Sequence, residues 1–146
     1  QGRDYSIQYE PGESSSSMFG GNSNWRGPIW LPLNYLIINS LRKYYQYYGN
    51  TYTYEFPAGS GVKLNLKQIA NELTKRLLKI FEKNAAGTFQ YHGSDLPQWG
   101  EDHFKDHHLF YEFFHGDTGQ GLGASHQTGW TALITNLLLE MDEEDG

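Results

Sequence analysis

Residues 25–44 read Trp-Arg-Gly-Pro-Ile-Trp-Leu-Pro-Leu-Asn-Tyr-Leu-Ile-Ile-Asn-Ser-Leu-Arg-Lys-Tyr. A stiff aromatic turn runs here straight into a helix. Gly27 lets the backbone pass close to another group, and Pro28 restricts the turn. Pro32 suits a first helical position, where its missing N–H costs nothing. Leu33, Leu36, Ile37, Ser40, Leu41 and Tyr44 then recur at helical spacing. Gly49 fits just past the end, so the spacing predicts a helix over 32–48.

Two more helices follow from similar patterns further along. Asn65 can cap one, with Gln68 three residues on as in a capping box. Ile69, Ala70, Leu73, Leu77, Ile80 and Phe81 continue it to about 84 as an apolar stripe. Thr128 can cap the last helix, which runs through Trp130, Leu133, Ile134, Leu137 and Leu138. Its acidic end opposes the helix dipole, which predicts fraying after about 141 and a frayed tail over 142–146. Residues 1–24 read as a lead-in loop. Residues 50–64 read as a Thr/Tyr/Gly-rich connection with a short strand over 51–56. Residues 88–127 read as irregular, a length that a small domain keeps when the segment is functional. No internal repeat is visible.

Composition excludes several classes. The chain has 146 residues, one domain's worth, enough to bury a core without staples. With 38% hydrophobic and 19% charged residues it is neither disordered nor membrane-spanning by composition, and it has no apolar run near 18 residues. The first residues carry no signal-peptide pattern, and a start at Gln1 leads us to expect a chain that begins inside something larger or has been processed. It has no cysteine, which rules out disulfides, thiolate nucleophiles and cysteine-ligated zinc but leaves the compartment open. The net charge of −6 is concentrated in Glu140, Asp142, Glu143, Glu144 and Asp145, so the body is near neutral and a broad nucleic-acid surface is excluded.

Four constellations could carry chemistry. Trp25, Arg26 and Trp30 put two indoles and a guanidinium on one turn. They could stack on a sugar ring and bind a carboxylate or hydroxyls, or could equally be two buried indoles and a structural ion pair. In 109–114, Leu-Phe-Tyr-Glu-Phe-Phe, an extended backbone puts Phe110, Glu112 and Phe114 on one face. A carboxylate between two phenyl rings is a candidate for acid–base work; the alternative is a Glu at an irregular strand edge reaching water. Residues 115–130 hold five glycines with polar residues between them. Gly119, Gly121 and Gly123 lack the spacing and the βαβ setting of a dinucleotide loop, and no phosphate-loop Lys-Ser/Thr follows. Last come His92, His103, His107, His108, His115 and His126. His103 and His107 are four apart, which on a helix would offer a metal two ligands, but no His-Glu-x-x-His is present. Ser125 and His126 are adjacent without a Gly-x-Ser-x-Gly. Neither a metal nor a cofactor is expected.

The segment from Asn24 to Trp30 with Asn34-Tyr35-Leu36 resembles the signature of glycoside hydrolase family 63, the family of processing α-glucosidase I. So do Tyr111-Glu112, Asp117-Thr118-Gly119 and 127–131, Gln-Thr-Gly-Trp-Thr. The resemblance spans roughly residues 20–138. It implies an all-α fold, part of an (α/α)6 six-hairpin toroid, with long loops and a short β-hairpin. It implies that 1–146 is a C-terminal fragment of the catalytic domain, inactive by itself and partnered by the preceding part of that domain. Family members invert anomeric configuration with two carboxyl groups roughly 6.5–9.5 Å apart. By motif position Glu112 matches the general base. The matching acid is an Asp upstream of Trp25, and Asp4 lacks the expected flanking residues. Trp25 and Trp30 match sugar-subsite positions, Arg26 orients a carboxylate or hydroxyl, and Gln127 and Trp130 match the cleft wall. The implied substrate is an α-glucoside or α-mannoside, with no nucleic acid or membrane partner. The alternative is a non-catalytic carbohydrate-binding or scaffold module that keeps the same motifs.

Overall fold

The computed structural model describes residues 7–16, 24–93, 101, 103, 104 and 106–145. Asp4, Trp99 and the stretch 17–23 of the expected lead-in loop lie outside the described residues.

Helix α1 spans Leu31–Tyr48, with extended Trp30 ahead of it and a proline in its first positions. It stops at Gly49, whose φ of 56° breaks the helix while its N–H still reaches the Tyr45 carbonyl at 2.7 Å. Its buried side is Leu31 and Ile38. Leu33, Leu36 and Ile37, expected to face inward, are 46%, 63% and 49% exposed. Leu, Ile and Tyr occur on every side of α1, so polarity selects no face. The choice is made by the helices α1 packs against. Leu138 and Leu139, on the last helix, are exposed as well. Apolar surface of this kind drives association. The isolated chain is therefore expected to self-associate in light scattering, and a soluble monomer would contradict this.

A short hairpin follows. Strands β1 (Thr53–Glu55) and β2 (Lys63–Asn65) pair antiparallel, Thr53 opposite Asn65. Asn65 then opens α2, Leu66–Leu78. The expected capping box is present: the Gln68 N–H donates to Asn65 Oδ1 at 2.8 Å, and the Asn65 N–H to Gln68 Oε1 at 2.9 Å. The helix tightens into a 3₁₀ turn at Lys79–Phe81 and ends there rather than at 84, because Glu82 is extended.

Residues 88–127 are more structured than their composition suggests. They hold a 3₁₀ turn, Gln90–His92, and a second hairpin of β3 (Phe113–Phe114) and β4 (Gly121–Leu122). Helix α3 (Thr128–Thr131) and α4 (Leu133–Asp145) complete the chain. Gln127, not Thr128, stands before the first turn of α3, and its side chain makes no capping bond.

The expectation of an all-α toroid piece is corrected by these elements. Two antiparallel hairpins sit among the helices, so the chain is a small mixed α/β unit. The first hairpin contains the strand read over 51–56, and the second falls in the stretch read as irregular. The core joins α1, α2 and α4 through Leu31, Ile38, Ala70, Leu77, Ile134 and Leu137. Ile80 and, from the supposedly irregular stretch, Phe89, Tyr91, Leu109 and Phe114 fill the rest of it. Arg42 pairs with Glu140, linking α1 to α4. Among the described residues, no helix is long and apolar enough to cross a membrane.

His92 is 2% exposed, its ring against Tyr91 and Phe89. Burial, aided by nearby His108, holds its pKa below the ordinary 6.5. Above 6.5 the folded and unfolded forms are both neutral here. Below it the unfolded chain takes up a proton that the folded chain resists. Stability is therefore expected to fall as pH drops from about 6.5 towards the folded-state pKa. In His92→Gln, unfolding midpoints between pH 7.5 and 5 should lose this part of the slope.

Candidate active site

Three backbone segments meet tightly. Ile29 and Phe114 exchange both backbone bonds, at 2.7 and 3.0 Å, and the Gly116 N–H donates to the Pro11 carbonyl at 2.8 Å. A methyl group on Gly27 would stand 2.2 Å from the Glu10 carbonyl oxygen; one on Gly116 would stand 2.3 Å from the Gly27 oxygen. Both positions must be glycine for the segments to lie this close. Asn24 locks the assembly from inside, 1% exposed. Its amide donates to the Glu10 and Gly12 carbonyls at 2.9 and 2.8 Å, and its Oδ1 accepts from the Arg26 backbone N–H and Nε. Asn24→Ala is expected to cost about 1–3 kcal/mol for each group left buried and unpaired, read from denaturant unfolding.

This frame presents an aromatic stack. Trp30, 1% exposed, lies parallel to Trp25 with centroids 4.1 Å apart, and is stacked on Phe113 at 4.5 Å. Trp130 meets Trp30 edge-on at 5.8 Å and lies tilted to Trp25 at 6.4 Å. The Trp30 Nε1–H donates to the Asn24 carbonyl at 3.2 Å. The two indoles read together from the sequence thus divide. Trp30 is the buried backing, and Trp25, 46% exposed, carries a ring to the surface.

Arg26 turns its guanidinium to the frame: Nη2 binds Glu10 Oε2 at 2.9 Å and Nε binds Asn24. Hydrogen bonds from Ser15, with the Arg26 charge adding, hold the Glu10 carboxyl below its ordinary range. The structural ion pair, one of the two readings of this turn, is therefore present.

Glu112 stands immediately before β3 and is half-buried. Its Oε2 accepts from the Ala124 N–H at 3.1 Å, and its own N–H donates to the Ala124 carbonyl at 2.9 Å. Phe110 and Phe114, its expected flanking rings, both pack on Phe81. Phe113, the next residue, carries the indole stack instead. The glycine-rich stretch is the hairpin turn beneath: the Gly119 N–H reaches the His115 carbonyl, and the His115 N–H reaches the Gln120 carbonyl, each at 2.8 Å. His115 Nδ1 accepts from the Asp117 and Thr118 N–H groups. The Gln127 N–H donates to the Phe110 carbonyl at 2.7 Å, and its own carbonyl accepts from the Trp130 and Thr131 N–H groups, which aligns the turn carrying Trp130. Thr131 Oγ1 donates to the Tyr111 carbonyl.

The structure thus draws Trp25, Trp30 and Trp130 into one cluster that packs on Phe113, the residue after Glu112. Glu10 and Phe113 were not singled out from the sequence, and Asn24 was read only as the first residue of the motif. Phe113 was legible only as part of an aromatic run. His103 and His107 both lie against the Phe104 ring, and among the described residues no group of three or more His, Asp or Glu side chains is placed to hold a metal.

Residues 13–96 match the C-terminal domain of glycosyl hydrolase family 63. The chain belongs to this family. The matched stretch takes in Trp25, Arg26 and Trp30 and ends before Glu112. Similar proteins match more of the chain. An uncharacterized Saccharomyces cerevisiae protein is 46% identical over 142 residues, 96% of this chain and 13% of that protein. The mannosyl-oligosaccharide glucosidase of the same yeast is 30% identical over 121 residues, 82% of this chain and 11% of that enzyme. A probable mannosyl-oligosaccharide glucosidase of Schizosaccharomyces pombe is 33% identical over 122 residues, again 82% of this chain and 11% of the relative. The chain thus spans little more than a tenth of the curated relatives it matches. No solved structure matches it significantly.

Proposed function

We propose that this family 63 chain supplies the general base, Glu112, and part of the sugar-binding wall of an inverting α-glucosidase. The observation that carries the reading is the placement of Glu112. A half-buried carboxylate is fixed by the Ala124 N–H, and the next residue, Phe113, is stacked on the Trp30–Trp25 pair. A carboxylate held in one orientation beside a flat apolar ring suits a pyranose. The ring face stacks on the indole while the carboxylate takes a proton from water. In this reading Trp25 makes the stacking contact, Trp130 closes the corner and Gln127 holds the turn that carries it. Arg26 acts through Glu10 and Asn24 by holding the turn of Trp25. The general acid lies elsewhere, and the substrate class is that named for the relatives, a glucosylated mannosyl-oligosaccharide. The test is the anomer first released. Proton NMR of the full-length protein's reaction should show β-glucose before mutarotation; α-glucose first would overturn the inverting mechanism.

The exposed ring of Trp25 also suits a binding-only role. In that case oligosaccharide quenches tryptophan fluorescence, no glucose is released, and Glu112→Gln leaves the titration unchanged.

A further inference from the structure

Gly123 lies against both the Glu112 side chain and the Phe113 ring. Its φ is 70°, a left-handed conformation that side chains rarely adopt. A methyl group there would meet three atoms at once: Glu112 Oε2 at 2.6 Å, Phe113 Cε1 at 2.8 Å and Glu112 Cβ at 3.0 Å. The first two separations are shorter than packed carbon atoms tolerate. The next residue, Ala124, is the one whose N–H holds Glu112 Oε2. The bare backbone at 123 therefore makes the space in which the carboxylate lies down onto the Ala124 N–H, with the Phe113 ring beside it.

We infer that Gly123 is a positioning residue for hydrolysis. The absence of a side chain there sets the orientation of the Glu112 carboxylate and keeps it in register with the Phe113–Trp30–Trp25 stack. The inference rests on the reading of Glu112 as the base, and it adds that the hairpin backbone, rather than a second side chain, fixes where the base points.

A double-mutant cycle in the full-length protein tests it, with glucose release from a glucosylated mannosyl-oligosaccharide as the assay. Gly123→Ala should lower kcat by about 10²-fold with little change in KM, since a base displaced by an ångström loses that much. Combined with Glu112→Gln, it should slow the reaction no further than Glu112→Gln alone, because the two act as a unit. Gly119→Ala controls for backbone strain. Its φ is 73° in the turn on the other side of β4, but the atoms nearest a methyl there all belong to the Gln90 side chain, at 3.2 Å or more. It should leave kcat near that of the parent. Losses that multiply in the double variant, an unchanged kcat in Gly123→Ala, or an equal loss in Gly119→Ala would each overturn the role of Gly123 while leaving Glu112 as the base. Full activity in Glu112→Gln alone would overturn both. Should Gly123→Ala fail to fold, Gly123→Asn, whose side chain tolerates the positive φ better, carries the same expectations in the same cycle, checked by its near-ultraviolet circular dichroism.

Discussion

Glu112→Gln in the full-length protein is expected to lower kcat by about 10² to 10⁴-fold with little effect on the unfolding temperature. The substitution keeps the shape of the side chain. An amide oxygen can still accept from the Ala124 N–H, now 3.1 Å from Glu112 Oε2, so this hydrogen bond is kept. Only the basic oxygen disappears. A base that takes a proton in the transition state contributes mainly to kcat, so KM should move little. The measurement is initial-rate kinetics on the oligosaccharide, with thermal unfolding as the control for folding. Full activity with an inverted product would refute the assignment. A large fall in unfolding temperature would instead mark Glu112 as a structural residue.

The second large effect separates the two stacked indoles. Trp30→Ala is expected to destabilise the chain by about 3–5 kcal/mol, the usual penalty for emptying a buried aromatic site. Trp30 is 1% exposed, lies against Trp25, Phe113 and Trp130, and donates its indole N–H to the Asn24 carbonyl. Trp25→Ala should behave differently. Its ring is 46% exposed, so less surface returns to water and the stability loss should be a fraction of that for Trp30. Its main effect should be weaker oligosaccharide binding, read as a raised KM. Denaturant titration and kinetics on both variants decide the matter. Equal destabilisation by the two substitutions would show that Trp25 is packing material rather than a platform.

How far the sequence could be read depends on which interactions are local. Caps and breakers act over a few residues, so Gly49, Pro32 and the Asn65–Gln68 box were all legible. The faces of α1 were not. A helix apolar on every side gives no period from which to choose, and packing against α2 and α4 turned Ile38 inward and left Leu36 outside. The hairpin of Phe113 and Leu122 was hidden for another reason. Its strands are two residues long, too short for an alternation to register. At the site, the residue types were legible from motif and composition. The division of labour was not, because it depends on contacts across most of the chain. Trp30 is buried because Phe113 arrives from far along the sequence to stack on it. Arg26 is occupied because Glu10 reaches it from sixteen residues before.

The bridge between Ile29 and Phe114 has a topological consequence. The tip of the first hairpin, residues 57–63, is exposed throughout and makes no part of the bridge. A protease that cut there would leave two peptides, one owning Trp25 and Trp30, the other owning Phe113, Glu112 and Trp130. Neither peptide would hold the whole cluster by itself. Clipped at that tip, the chain should still hold together, its two halves clasped by main-chain pairing and by rings that belong to opposite pieces.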